Sequence, residues 1–260
     1  MQTNINGETF SSPVLATKQA LLIAHMNGLL WLRRYPASLI FTAMIPFSFL
    51  FIVFVIGGGQ YTYLALAGSL VAAAASYGLA TGNNIINWKV EYKLQDIFVS
   101  SSVSPFTYMT GIALAELLFG LPAFVVLATL VIIFSSSLIS TLMVIVTIIL
   151  VWACTSSIGY FISTRSTHPR FVESFMAFLR IAVVVLPPVF YPLNIVPTEE
   201  LHYLAYAIPT THASLILQYT MGFPQELGDG WSLEIGFAVI IAYIVGFALL
   251  AETKAVWREN

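Results

Sequence analysis

The sequence predicts an all-α integral membrane protein of six transmembrane helices, and three observations carry that expectation. Of its 260 residues, 58% are hydrophobic and 8% are charged, against about 25% charged in an ordinary soluble domain. A water-exposed globule of this composition would lack a polar coat. Six stretches, 36–56, 61–81, 106–134, 138–163, 171–191 and 232–250, are apolar over the roughly 20 residues that a helix needs to cross a bilayer core. Finally, Lys18, Arg33, Arg34, Lys89, Lys93, Arg165, Arg170, Lys254 and Arg258 all fall in the termini and alternate loops, whereas 57–60, 135–137 and 192–231 carry no lysine or arginine. Positive charge stays cytoplasmic during insertion, so both termini are expected inside a cytoplasmic (inner or plasma) membrane. Alternating segments of the membrane β-barrel kind are absent.

Before the first span, 14–35 reads as an amphipathic interfacial helix. Leu22, Met26, Leu29, Leu30 and Arg33 fall at helical spacing, with Lys18, Gln19, His25 and Asn27 largely off that stripe. Trp31, Arg33, Arg34 and Tyr35 suit a headgroup boundary, and Pro36 can open the first span.

The second span carries Gly68, Ser69, 72–76 and Gly78, and the fourth Ser156, Ser157 and Gly159; such small residues let helices approach closely. The loop between spans two and three, 84–104, predicts a short cytoplasmic surface helix. Ile86, Val90, Leu94 and Ile97 make its apolar stripe, and Lys89, Lys93, Asp96 and Ser100 its polar one. Ser104-Pro105 then starts the third span.

Glu116, near Gly111, Gly120 and Pro122, lies about ten residues into the third span, and Arg180 about three turns into the fifth. Ionisable groups at such depth need a partner or water. Glu116 either pairs with Arg180 or an interhelical hydroxyl, or lines a pathway, and these readings are compatible.

After the fifth span, Leu186-Pro187-Pro188-Val189-Phe190-Tyr191-Pro192 breaks the helix, and Pro197-Thr198-Glu199-Glu200 offers a cap for a helix over 201–207. Pro209 ends that piece and 210–219 can form another. Two short half-inserted or surface helices on the outer side are expected, within a loop, 192–231, that holds Glu199, Glu200, Glu226 and Asp229. No linker divides the chain, so 1–260 reads as one domain. The polar first 13 residues do not read as a secretory signal.

Several function classes lose support. Ten basic residues and a net charge of −2 make no phosphate-binding patch, so nucleic acid is not an expected partner. Cys154 is the only cysteine, and His25, His168, His202 and His212 are scattered, so no disulfide and no metal site is proposed. Neither a G-x-S-x-G nucleophile motif nor a pair of intramembrane aspartates is present, and the chain is not expected to be an enzyme. It has no G-x-x-x-x-G-K-[ST] loop to cradle ATP.

The run from Glu91-Tyr92-Lys93-Leu94-Gln95-Asp96 to Ser104-Pro105 resembles the cytoplasmic loop of type-2 ABC exporter permeases, the class of O-antigen and drug-export membrane subunits. The block from Leu186 to Pro192, followed by Ile208-Pro209-Thr210-Thr211-His212, is similar to that family's second signature. Order, spacing and membrane side agree, so the resemblance spans essentially the whole chain. It implies a permease dimer, homo- or heteromeric, served by a separately encoded ABC ATPase subunit that holds ATP and Mg. The helix with Glu91, Leu94, Asp96 and Phe98 would be the coupling helix that contacts the ATPase. Pro187, Pro188, Phe190, Tyr191, Pro209 and His212 would form an outer gate. The expected cargo is an amphiphile: a lipid-linked glycan, a lipid or a hydrophobic drug. The alternative is a proton-coupled secondary transporter using Glu116, against which stands the absence of an inverted repeat.

Overall fold

The computed structural model describes residues 13–101, 103–135, 137–223 and 231–254. Glu226, Asp229 and Arg258, used above for sidedness, lie outside them.

Among the described residues every regular element is helical. Helix α1 (Pro13–Ala24) passes through a π-helical turn (His25–Leu29) into α2 (Leu30–Arg34). Then follow α3 (Ser38–Ile56), α4 (Thr62–Val90), α5 (Leu94–Val99), α6 (Pro105–Ile133), α7 (Leu138–Arg165) and α8 (Pro169–Arg180). A second π-turn (Ile181–Val185) extends α8, and α9 (Glu199–Ala207), α10 (Pro209–Thr220) and α11 (Leu233–Lys254) complete the chain. Five of these helices, α3, α4, α6, α7 and α11, are long and apolar enough to cross a membrane. The chain is therefore an all-helical, multi-pass membrane protein.

The helix starts follow local rules. Ser104 Oγ accepts from Thr107 N at 3.1 Å with Pro105 in the first turn, and Ser137 Oγ accepts from Ser140 N at 3.1 Å. Both are side-chain caps that satisfy donors the helix itself cannot.

Helix α4 is the central post, packed on α3, α6, α7, α8 and α10. Its alanines, glycines and serines leave room for this. A Cβ built on Gly78 would lie 1.9 Å from Thr155 Oγ1 and 2.7 Å from the Trp152 carbonyl, so only hydrogen fits where α4 crosses α7. Two turns on, Ser163 Oγ lies 2.7 Å from both the Gly82 and the Gly159 carbonyl oxygens, donating its proton across or along the same crossing.

Three sequence expectations change. The second span does not stop at 81 but runs as α4 to Val90, and the loop helix expected over 84–104 shrinks to α5. Two contacts hold the extra turns: Asn84 Nδ2 donates to Glu116 Oε1, and Lys89 Nζ reaches the Thr164 and Ser166 carbonyls at 3.4 Å each. Lys93 then adopts left-handed backbone, φ 51°, which turns the chain. Ile86 is consequently buried in α4 while Ile97 is 61% exposed on α5, so the expected single stripe is split between two directions.

The fifth candidate span, 171–191, is helical only to 185. From Pro169 this is about 25 Å of helix at 1.5 Å per residue, short of the roughly 30 Å of a bilayer core.

The N-terminal helix keeps its expected outer stripe, with Leu22, Met26 and Leu30 exposed. Its other face, which the stripe did not reveal, buries Ala20, Ile23, Ala24 and Gly28, and the helix packs against α6. A Cβ on Gly28 would come 3.0 Å from Leu118 Cδ1 and 3.2 Å from the Ala115 backbone, so this glycine sets how closely the two helices approach.

Candidate functional site

Single stripes from five helical segments converge on one cavity of about 390 Å³. Ser76, Ala80 and Asn84 fall four apart on α4, beside Tyr77. Thr42, Ile45 and Pro46 share a face of α3, Glu116 and Phe119 a face of α6, and Asn27 and Trp31 a face of the N-terminal helix; Arg180 enters from the end of α8. Spacings of three and four place these residues on common faces, so the lining is a property of how the helices are rotated.

The sequence singled out Glu116 and Arg180, and the structure brings them to the same cavity. It does not join them. Glu116, buried, receives its hydrogen bond from Asn84 Nδ2, so the structural partner is an amide rather than the guanidinium or hydroxyl expected. Among the described residues no ion pair within 4.0 Å links Arg180 to Glu116, and Arg180 Nε and Asn27 Nδ2 are buried without a hydrogen-bond partner. Polar atoms in that condition are costly unless something else occupies the space beside them. Asn27, Thr42, Ser76, Tyr77 and Asn84 were not anticipated as site residues. The available signal was Asn83-Asn84 in a helical continuation of an apolar span, where side-chain amides need partners.

Both π-helical turns border this cavity. Asn27 lies within the first and Arg180 immediately precedes the second. A π-turn inserts an extra residue into a helix and redirects the side chains around it, which is why such turns cluster at functional positions.

The expected coupling residues divide into two sets. Glu91 and Asp96 are exposed, together with Tyr92, Lys93 and Ile97. Leu94 and Phe98 turn inward instead. Phe98 stacks on Trp88 of α4 (centroids 5.8 Å apart, interplanar angle 14°) and meets Tyr108 of α6 at 5.3 Å. The cluster around them also takes in Ile23, Ile85, Ile112, Tyr160 and Ala251, so α5 is tied to the N-terminal helix, α4, α6, α7 and α11.

The expected outer-gate residues form a tightly packed break. Pro187, Pro188 and Val189 are buried, and Phe190 stacks on Phe49 at 4.8 Å. Carbonyls freed where the helix ends are met by side chains: Thr210 Oγ1 donates to Val183 O, Tyr191 OH to Leu186 O, and Ser214 Oγ to Val189 O at 3.1 Å. Irregular backbone inside a membrane protein survives where protein satisfies it in this way. Pro209 begins α10, whose residues 209–218 are all buried. His212 Nε2 donates to Tyr206 O at 2.7 Å, because its Nδ1 accepts from Trp231 Nε1 at 3.1 Å; that pair of contacts assigns the neutral Nε2–H tautomer. Burial pushes the His212 imidazole below its ordinary range, partly offset by the Tyr206 carbonyl. Tyr243 OH, donating to Ala207 O at 2.7 Å, ties the α9–α10 corner to α11.

No protein-family model matches the chain, and no curated protein sequence matches it; a functional reading rests on its own residues and their arrangement.

Proposed function

We propose that this chain is the permease subunit of an ATP-driven exporter of amphiphiles, working as a dimer in the cytoplasmic membrane with ATP and Mg handled by a separate ABC ATPase subunit. In this reading α8, its π-turn and the buried Pro187–Pro188 break supply the sixth crossing, and both termini face the cytoplasm. The ends of α4 and α7 support that sidedness, since Lys89 meets the backbone beside Arg165 there.

The observation that carries the proposal is the two-sided build of α5. Its outward Asp96 and Ile97, with Glu91 and Tyr92 in the turn that precedes it, are exposed to a partner, while Leu94 and Phe98 join a cluster with residues of five other helices. A push on such an element moves packed side chains rather than a floppy loop, and interior packing transmits displacement because it has little free volume. Substrate would be handled in the cavity that holds Glu116 and Arg180, with the 187–191 break and α10 closing the far end.

Co-purification from the native membrane tests this reading. A P-loop ATPase at roughly equal stoichiometry is expected, and the Glu91→Ala/Asp96→Ala double variant should lose substrate-stimulated ATP hydrolysis while inserting normally. Unchanged stimulation would remove α5 from the mechanism. A proton-coupled carrier is the second reading, favoured by the siting of Glu116 on a cavity rather than in a closed ion pair. Transport driven by a proton gradient in liposomes containing this chain alone, and abolished in Glu116→Gln, would select it.

A further inference from the structure

We infer that the cavity between the N-terminal helix, α3, α4, α6 and α8 takes the headgroup of a zwitterionic amphiphile, its phosphate-type anion beside Arg180 and its ammonium beside Glu116. The inference deepens the reading of the chain as a carrier of amphiphiles and rests on it.

The charge inventory argues first. The lining holds one guanidinium and one carboxyl, Arg180 and Glu116, and among the described residues they are not ion-paired. A purely anionic ligand would leave the buried Glu116 carboxyl without a cation to ionise against, and a purely cationic one would share the space with Arg180. Like charges in a low-dielectric site repel strongly. A ligand carrying both charges meets each with its complement, and the mismatch that penalises the others is its specificity.

Hydrogen-bonding capacity agrees. Arg180 Nε and Asn27 Nδ2 are buried donors without partners, and a phosphate oxygen is the acceptor a guanidinium fits best. On the other side, Asn84 Nδ2 occupies Glu116 Oε1, which leaves the rest of the carboxyl to face the charge of an ammonium. Aromatic walls complete that half. Trp31, Tyr77 and Phe119 line the cavity, and Trp31 meets Phe119 edge-on, with centroids 5.5 Å apart and an interplanar angle of 76°. Aromatic faces attract ammonium groups through their quadrupoles.

Size sets the remaining term. At about 390 Å³ the cavity is near the lower end of the roughly 300–1,000 Å³ of small-ligand sites, room for a headgroup and not for its chains. Trp31 and Ile45 are each 47% exposed where they form its wall, so an acyl chain leaves between the N-terminal helix and α3, toward surface that is already apolar.

The test uses the full chain in a sugar-headgroup detergent, titrated with dodecylphosphocholine, dodecyl phosphate and dodecyltrimethylammonium below their micelle concentrations. Binding is read by the rise in Tm and by native mass spectrometry. The phosphocholine amphiphile should bind about tenfold more tightly than either singly charged one, the equivalent of one good charge pair. Arg180→Gln should weaken dodecylphosphocholine and dodecyl phosphate without weakening dodecyltrimethylammonium, and Glu116→Gln should weaken dodecylphosphocholine and dodecyltrimethylammonium without weakening dodecyl phosphate. Equal binding of all three, or tighter dodecyl phosphate, overturns the inference. So does chain-free phosphocholine binding as tightly as its dodecyl form. If both variants fail to fold, the ranking on the unaltered chain decides by itself. No ATPase enters the measurement: a flat ranking with an ATPase recovered in co-purification sinks this inference alone, and a preserved ranking without an ATPase sinks the exporter reading alone.

Discussion

Helices α3 and α4 follow one another in sequence, yet the apolar window of α3 has a mean hydropathy of 2.7 and is 6% buried, while that of α4 has 1.5 and is 89% buried. In a water-soluble protein the more hydrophobic helix would sit in the middle. Here lipid is as apolar as leucine, so hydrophobicity does not draw one helix inward over another; packing and hydrogen bonding do. Helix α4 is central because its alanines, glycines and serines let five neighbours come close and because Asn84 and Thr81 find partners there. Large side chains such as Phe41, Phe51 and Ile56 keep α3 outside, with its surface to lipid.

The sharpest way to break this contrast is to enlarge α4. Gly78→Leu sets even its first carbon against Thr155 Oγ1 at 1.9 Å, so overpacking should cost about 3 kcal/mol. A large drop in Tm in detergent, or loss of the monodisperse species, checks it. A Tm within a degree or two of the parent would mean that α4 does not cross α7 at this contact.

Removing a polar partner should cost less. Asn84→Ala leaves buried Glu116 without its amide, and about 2 kcal/mol of destabilisation is expected from the stranded group. Asn84→Asp should be worse than Asn84→Ala, because it sets two carboxyls together. If thermal unfolding ranks them the other way, the Asn84–Glu116 contact is not what holds these turns.

Helix α10 extends the comparison: it is short and more polar, and like α4 it is buried. His212 is neutral in the folded protein, with its folded pKa below the unfolded value of about 6.5. Its contribution is therefore complete above that value and is lost as pH falls through the folded pKa. Acidification from pH 7 to 5 should lower Tm, and the slope should diminish in His212→Gln. An unchanged slope would exclude His212 as its source.

The smallest effect belongs on the lipid side. Phe51, 66% exposed on α3, should tolerate Leu within about 0.5 kcal/mol. A loss comparable with that of Gly78→Leu would show that α3 is covered by protein in the functional assembly.

The spans that were legible are those in which a single physical requirement repeats along the chain. Apolar length marked α3, α6, α7 and α11, and capping chemistry at Ser104-Pro105 and Thr198 located two helix starts. Less was legible where neighbouring helices decide. The continuation of α4 to Val90 depends on Glu116 and on the carbonyls of 164 and 166, which lie far along the chain. The inward turn of Leu94 and Phe98 depends on Trp88 and Tyr108. Glu116 and Arg180 stood out in the sequence because ionisable groups are rare in apolar runs, but their lack of a direct bond could not be read from it.

Composition and the pattern of apolar runs by themselves determined that this chain lives in lipid as a helical protein, because backbone groups in hydrocarbon must pair within the helix whatever surrounds it. Only the tertiary structure decided which helix became the post, which faces of five segments met around Asn27, Asn84, Glu116 and Arg180, and that they met around a cavity. Those outcomes turn on helix rotation and close approach, which hydropathy does not encode and side-chain fit does.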